Sequence, residues 1–221
     1  MYLLMTARKG ISSLQLGKEI GITQKSAWFM LGRIREACGN DLTTLRGTVE
    51  VDEAYFGGKE TNKHAHKKLN RGRGAVGKTA VLGIRERGGR VKATPVASTS
   101  AASLQSEIRA NIETGSTIHT DEHAGYVGLA HDYTHETIMH GAGEYVRDGV
   151  TTNSIESVWA VMKRGVYGVY HHASPKHLHR YVDEFTFRLN DGDVKRHTLD
   201  RLASLMTASF GLRLTYEELT A

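Results

Sequence analysis

Cysteine and proline are nearly missing from this chain of 221 residues. Its one cysteine, Cys38, excludes an intramolecular disulfide and fits a reducing compartment. Two prolines leave no Pro-rich linker. No apolar run approaches the ~18 residues that a membrane span needs, and Met1–Met5 is too short for the core of a signal peptide. A membrane partner is therefore not expected, and the expected compartment is the cytoplasm. None of the twelve histidines stands in the His-Glu-x-x-His spacing of a helical zinc site. There is no internal repeat, low-complexity tract or coiled-coil heptad.

What is present is an ordinary globular composition, 39% hydrophobic and 24% charged, with room for one or two domains. The net charge of +5 and a pI near 9.3 suit nucleic acid without demanding it.

Residues 13–20 read as a short amphipathic helix, Gly21-Ile22 as a turn, and Thr23 as the cap of a second helix from Gln24 to about Ala37. This is a helix-turn-helix pattern, in which the second helix offers Gln24, Lys25, Ser26, Arg33 and Arg35 to a major groove; an ordinary helical hairpin has the same pattern. From Thr48 the chain alternates through Val49, Glu50, Val51, Asp52 and on to Phe56, a strand with both acids on one face. Asp52 is either solvent-facing or functional, because an acid inside a strand needs something cationic against it.

Residues 61–83 contain no acid but carry Lys63, Lys67, Lys68, Arg71, Arg73 and Lys78. Such a run is either a solvated loop or a contact to phosphates. Strands over about 75–85 and 90–97 form a hairpin at Gly88-Gly89, and 101–111 is a helix with Ser100 as its cap. A short strand at 116–120 delivers Asp121, which either caps the turn that follows or serves a site. His119, His123, His135 and His140 are near enough in sequence to line that site. One further strand is expected near Thr137–Met139.

The stretch 151–164 has Ile155, Val158 and Met162 on one helical side, with Glu156 and Lys163 on the neighbouring face. Asn153 and Glu156 also fit a capping box, with Asn153 as the cap. Trp159 sits between the polar face and the core side, suited to packing more than to base stacking. Gly165–His172 reads as a turn. Ser174-Pro175 opens a helix to about Leu189 with Lys176 and Arg180 on its basic face; a last helix covers 195–209, and 210–221 is a tail.

Asp52 in a first strand, Asp121 at the end of a fourth and Glu156 on a later helix follow the layout of a ribonuclease-H-like core. Three hard oxygen donors of this kind suit Mg²⁺ or Mn²⁺ in phosphodiester chemistry. Three blocks make a resemblance specific. They are Val51-Asp52-Glu53-Ala54-Tyr55-Phe56-Gly57-Gly58-Lys59, Thr120-Asp121-Glu122-His123-Ala124-Gly125-Tyr126, and the long run from Thr152-Asn153-Ser154-Ile155-Glu156-Ser157-Val158-Trp159 through Glu184-Phe185-Thr186-Phe187-Arg188-Leu189-Asn190. Together they resemble one family of bacterial insertion-sequence transposases of the DDE type.

That resemblance implies an α/β chain with a mixed sheet: a helix-turn-helix segment at 1–40, a ribonuclease-H-like core at 46–192, and a C-terminal helix and tail at 193–221. It implies a divalent cation, Mg²⁺ or Mn²⁺, on Asp52, Asp121 and Glu156, with Lys163 as the downstream lysine and Asn153 as a lesser ligand. DNA is the implied partner, as element ends and as target, in a nucleoid-associated enzyme that cuts element ends and joins the 3′-hydroxyl to target DNA. A homodimer on paired ends is common among such enzymes. Gln24, Lys25, Ser26, Lys63, Lys67, Lys68, Arg71, Arg73, Arg164, Lys176 and Arg180 are the expected DNA contacts. Relatives usually carry a Cys-rich zinc ribbon ahead of the helix-turn-helix, which Cys38 alone cannot supply; a shortened copy, or a start at the wrong codon, is the expectation. The alternatives are a non-catalytic DNA-binding copy and a nuclease on the same core.

Overall fold

The computed structural model describes residues 1–39, 41–58, 62–69, 75–139, 141 and 146–221. They form two compact units, one from Leu42–Ala160 and one that joins Met1–Asp41 to Val161–Ala221. This division differs from the expected boundaries at 40 and 192, because the N-terminal helices build their core with the C-terminal ones.

The first unit is built on a five-stranded sheet. Its strands are β1 (Thr48–Phe56), β2 (Thr79–Glu86), β3 (Val91–Val96), β4 (Thr117–Asp121) and β5 (Thr134–Ile138), in the order β3-β2-β1-β4-β5. The β1/β2 and β2/β3 pairs are antiparallel, while β1/β4 and β4/β5 are parallel. This mixed sheet has the order and directions of a ribonuclease-H-like core, as the sequence leads one to expect. Alternation in β1 places Val49 and Val51 in a core with Leu82, Ile84 and Ile118. Leu104 and Ile108 of α4 (Ala101–Asn111) close that core from the same side. Glu50 and Asp52 lie on the other face of β1, where α5 (Asn153–Gly165) begins. β5 starts three residues ahead of the expected short strand.

The second unit is helical. It contains α1 (Tyr2–Thr6), α2 (Ser13–Ile20), α3 (Gln24–Glu36), α6 (Leu178–Leu189), α7 (Thr198–Ser209) and α8 (Tyr216–Thr220). Ser12 and Thr23 cap α2 and α3 through their hydroxyls, and Gly21 turns between them at φ 71°. The helix-turn-helix pattern is therefore present as two capped helices and a left-handed turn. Leu16, Ala27, Leu31 and Ile34 share a core with Leu4, Met5, Phe187 and Leu205.

Three expectations are corrected. Gly165–His172 is not a plain turn, since a π-helical turn over Val166–Tyr170 continues α5. A Cβ at Gly165 would run into the Phe185 ring, so glycine here permits packing rather than ending the helix. The segment 210–221 is not only a tail: Thr215 and Glu218 form a reciprocal capping box that starts α8. Arg35 is not available to DNA. Its side chain is 3% exposed and its Nε donates to Glu184 Oε2 at 2.7 Å.

Candidate active site

Two acids stand on adjacent parallel strands, Asp52 on β1 beneath α5 and Asp121 at the end of β4. The parallel register pairs Thr48 with Thr117, Val49 with Ile118 and Glu50 with His119. The ladder ends there, and two residues further along each strand stand Asp52 and Asp121, close enough for the Asp121 charge to act on Asp52. Burial pushes the Asp52 carboxyl up to about 6, with the Trp159 hydrogen bond opposing the rise and the charges of Glu53 and Asp121 adding to it. The Trp159 indole Nε1–H donates to Asp52 Oδ2 at 2.8 Å. Asp121 is held by its own turn, with Oδ1 accepting the His123 backbone N–H at 3.0 Å.

Room for the indole comes from β2. Gly83 pairs with Asp52 across the ladder. A Cβ on Gly83 would strike the Trp159 ring and come within 2.9 Å of Ile155 Cδ1. Trp159 also meets Phe56 edge-on, with centroids 6.3 Å apart. Trp159 is thus both a packing residue and the donor that fixes Asp52.

The start of α5 is not the capping box that Asn153 and Glu156 would also fit. The Glu156 N–H donates to the Thr152 carbonyl, so Thr152 occupies the cap position and Asn153 is the first helical residue. The next donors go to a residue that sequence reasoning passed over. Glu50 Oε2 accepts the Ser154 N–H at 2.8 Å, the Ser154 hydroxyl at 2.6 Å and the Ile155 N–H at 3.1 Å. A carboxylate at a helix N-terminus satisfies orphan donors and meets the positive end of the helix dipole. Arg87 Nη2 donates to Glu50 Oε1 at 3.3 Å and to His119 Nδ1 at 3.1 Å.

The Thr151 N–H also reaches His119 Nδ1, at 3.3 Å. The Thr151 carbonyl lies 3.4 Å from the same nitrogen, and Nε2 faces Glu136 at 3.5 Å. Burial, followed by the Arg87 charge, lowers the His119 pKa. Glu50 could have been suspected from its strand position two residues before Asp52. Its partners, more than a hundred residues away in the chain, could not.

Asn153 and Glu156 are exposed on the first turns of α5, and Lys163 is exposed in its last turn. Among the described residues, no three His, Cys, Asp or Glu side chains form a group that could hold a metal ion. The structure therefore brings Asp52 and Asp121 together and leaves Glu156 outside such a group. The donors themselves suit a hard cation: two carboxylates on adjacent strands, close enough for the Asp121 charge to act on Asp52, and burial that penalises the Asp52 charge. Of the histidines expected at the site, His135 Nε2 lies 2.9 Å from Thr120 Oγ1. His123 Nδ1 accepts the Gly125 N–H, and His140 lies outside the described residues.

The expected DNA contacts are scattered. Gln24, Lys25 and Ser26 are exposed at the start of α3. Each already has a local partner: Gln24 donates to Ser13, Ser26 pairs with Thr23, and Lys25 lies 4.8 Å from the Tyr216 ring centroid. Lys63 is half-buried and Lys68 exposed; Lys67 ends a short 3₁₀ turn, and Arg71 and Arg73 lie outside the described residues. Arg164 is exposed. Lys176 donates to the carbonyls of Thr220 and Ala221, and Arg180 pairs with Glu36 at 3.1 Å.

Residues 44–190 match the model of the ISXO2-like transposase domain. The chain is 29% identical over 168 residues to an uncharacterized protein in transposable element ISH50 of Halobacterium salinarum, covering 71% of this chain and 57% of that protein. It thus spans little more than half the length of that relative. A crystal structure of a pre-cleavage Mos1 transpososome aligns over 96% of this chain and 78% of its own at 9% identity and a TM-score of 0.25, too low to bear on the fold. The family model covers well over half of the sequence, and the chain belongs to the ISXO2-like transposase domain family.

Proposed function

We propose that this chain acts as a DDE transposase, cutting DNA at the ends of an insertion element and joining the freed 3′-hydroxyl to target DNA. The observation that carries the reading is the placement of Asp52 and Asp121 on adjacent parallel strands, on the face from which α5 rises. Asp52 and Asp121 would hold a divalent cation, Mg²⁺ or Mn²⁺, and Glu156, with Asn153 as a lesser donor, would complete the set if it moved in from its exposed place on α5. Such an ion, when bound, would polarise the phosphodiester and make an attacking water or 3′-hydroxyl more nucleophilic.

The chain's own residues orient the donors. The Trp159 indole fixes one Asp52 oxygen, and the turn at His123 fixes one from Asp121. Glu50 anchors the helix that carries Glu156. Lys163, a point charge two turns beyond Glu156, meets a DNA phosphate. The helix-turn-helix and the basic residues near Lys63 and Lys68 supply further backbone contacts, in a nucleoid-associated homodimer on paired ends.

The test is Mg²⁺-dependent cleavage of DNA bearing element ends, followed by strand transfer. Asp52→Asn, Asp121→Asn and Glu156→Ala should each abolish cleavage while leaving DNA binding intact. Equal cleavage by the variants overturns the site assignment. DNA binding by the parent chain with no metal-dependent cutting would favour a non-catalytic DNA-binding protein instead. Cutting without joining would favour a nuclease.

A further inference from the structure

The helical unit contains a second, separate concentration of charge. A cleft of about 350 Å³ is lined by Arg8, Lys9, Arg164, Arg188 and Arg201, with Asp193 the acid on its wall among the described residues. The cations differ in how they are neutralised. Arg188 donates from Nε and Nη2 to Glu184 Oε1 at 2.9 and 2.7 Å, and from Nη1 and Nη2 to the carbonyls of Ala7 and Leu4. Glu184 also serves Arg35, so one carboxylate already answers two guanidinium groups.

Arg201 has no such answer. Its residue is 7% exposed. Nη1 donates to the Met5 carbonyl and Nη2 to Thr198 Oγ1, each at 3.0 Å, and both acceptors are neutral. Its Nε is buried with no partner. Among the described residues no carboxylate pairs with Arg201, Arg8, Lys9 or Arg164. Asp193 uses Oδ1 to accept the Lys195 N–H. A guanidinium cannot shed its proton, so a buried, unpaired one is costly unless an anion completes it. The Arg201 charge lines the cleft beside three exposed cations, Arg8, Lys9 and Arg164, and an anion seated among them would neutralise it without having to reach the sealed Nε.

We infer that this cleft binds a phosphate group, and that the phosphate belongs to the backbone of a DNA duplex. Only the source of the phosphate rests on the proposed DNA chemistry; the anion site rests on Arg201 and the cleft. The cleft differs from the carboxylate site in sign, so it positions DNA and takes no part in bond cleavage.

The test uses the full chain, titrated with inorganic phosphate at constant ionic strength while the Tm is followed. The expected result is a saturable rise in Tm, with phosphate affinity weakened about tenfold or more in Arg201→Gln and Arg164→Gln. Arg201 also ties down the Met5 carbonyl, so the Arg164→Gln variant, at an exposed position, keeps the test readable if Arg201→Gln does not fold. Lys18→Gln, on exposed α2 surface, should bind phosphate as the parent does. No saturable shift, or an equal loss in Lys18→Gln, overturns the proposal. A DNA duplex should displace the bound phosphate; a duplex that binds without displacing it overturns the backbone assignment. Cleavage of element ends by a chain that fails the phosphate titration would leave the transposase reading intact. Phosphate binding without cleavage would do the reverse.

Discussion

Ser154 gives both of its polar hydrogens to Glu50, the backbone N–H at 2.8 Å and the hydroxyl at 2.6 Å. The bonds tie the first turn of α5 to the middle of β1, two residues from Asp52. Glu50 is 1% exposed, so truncation leaves three helix donors and Arg87 without their acceptor. Glu50→Ala is expected to lower the unfolding free energy by about 2–4 kcal/mol, and Glu50→Gln by less, since an amide oxygen still accepts. Urea denaturation measures both. Cleavage should fall in the same order, because the loosened helix carries Glu156.

A second prediction concerns the indole on Asp52. Trp159→Phe keeps most of the packing but removes the donor. The Mg²⁺ concentration for half-maximal cleavage should rise by about 10–100-fold, the usual cost of losing a group that orients a metal ligand. Gly83→Ala should give the same shift by pushing the ring away, together with a stability loss of about 1–3 kcal/mol. An unchanged Mg²⁺ requirement in both variants would show that the bond to Asp52 has no bearing on the metal.

Glu184 sets the acid limit of the helical unit. Burial alone would raise its pKa, but Arg35 and Arg188 outweigh burial and hold it below the ordinary value of 4.5. A depressed folded pKa means stability that is fully present above the ordinary value and lost as the pH falls through the folded one. Denaturation midpoints should therefore drop as the pH is lowered below about 4.5. Glu184→Gln should abolish that dependence and cost about 3–5 kcal/mol at pH 7, by leaving two buried guanidinium groups against a neutral amide.

Asp183 works in the opposite direction. Burial, then the Glu36 charge, pushes it up to about 7 from 3.8, against the pull of Arg180. The folded state holds its proton more tightly than the unfolded one, so stability declines as the pH rises from 3.8 to about 7. Asp183→Asn should be neutral at pH 4 and stabilising by about 1–2 kcal/mol at pH 8, allowing for partial exposure. Thermal unfolding at the two pH values checks it.

What the sequence made readable was local or periodic. The alternation in β1 announced its two faces, and Ser12, Thr23 and Gly21 punctuate α2 and α3 by side-chain chemistry alone. Asp52 and Asp121 stood out because each ends or interrupts an apolar strand. Contacts across long chain separations left no such mark. Glu50 reaches Ser154, Arg35 reaches Glu184, and Gly83 yields space to Trp159; none of these pairings has a spacing that periodicity could reveal. The capping box assigned to Asn153 and Glu156 failed for the same reason, since a strand carboxylate took over the donors. The box at Thr215 and Glu218 went unread because it opens a helix of one turn.

Because Leu4, Met5 and Leu31 share their apolar interior with Phe187 and Leu205, the pair of helices α2 and α3 depends on segments translated after the whole sheet. The ribosome releases α2 and α3 long before α6 and α7 exist to cover them. A peptide of residues 1–41 alone should therefore lack a stable fold, because its apolar side chains would have no partners from α6 and α7.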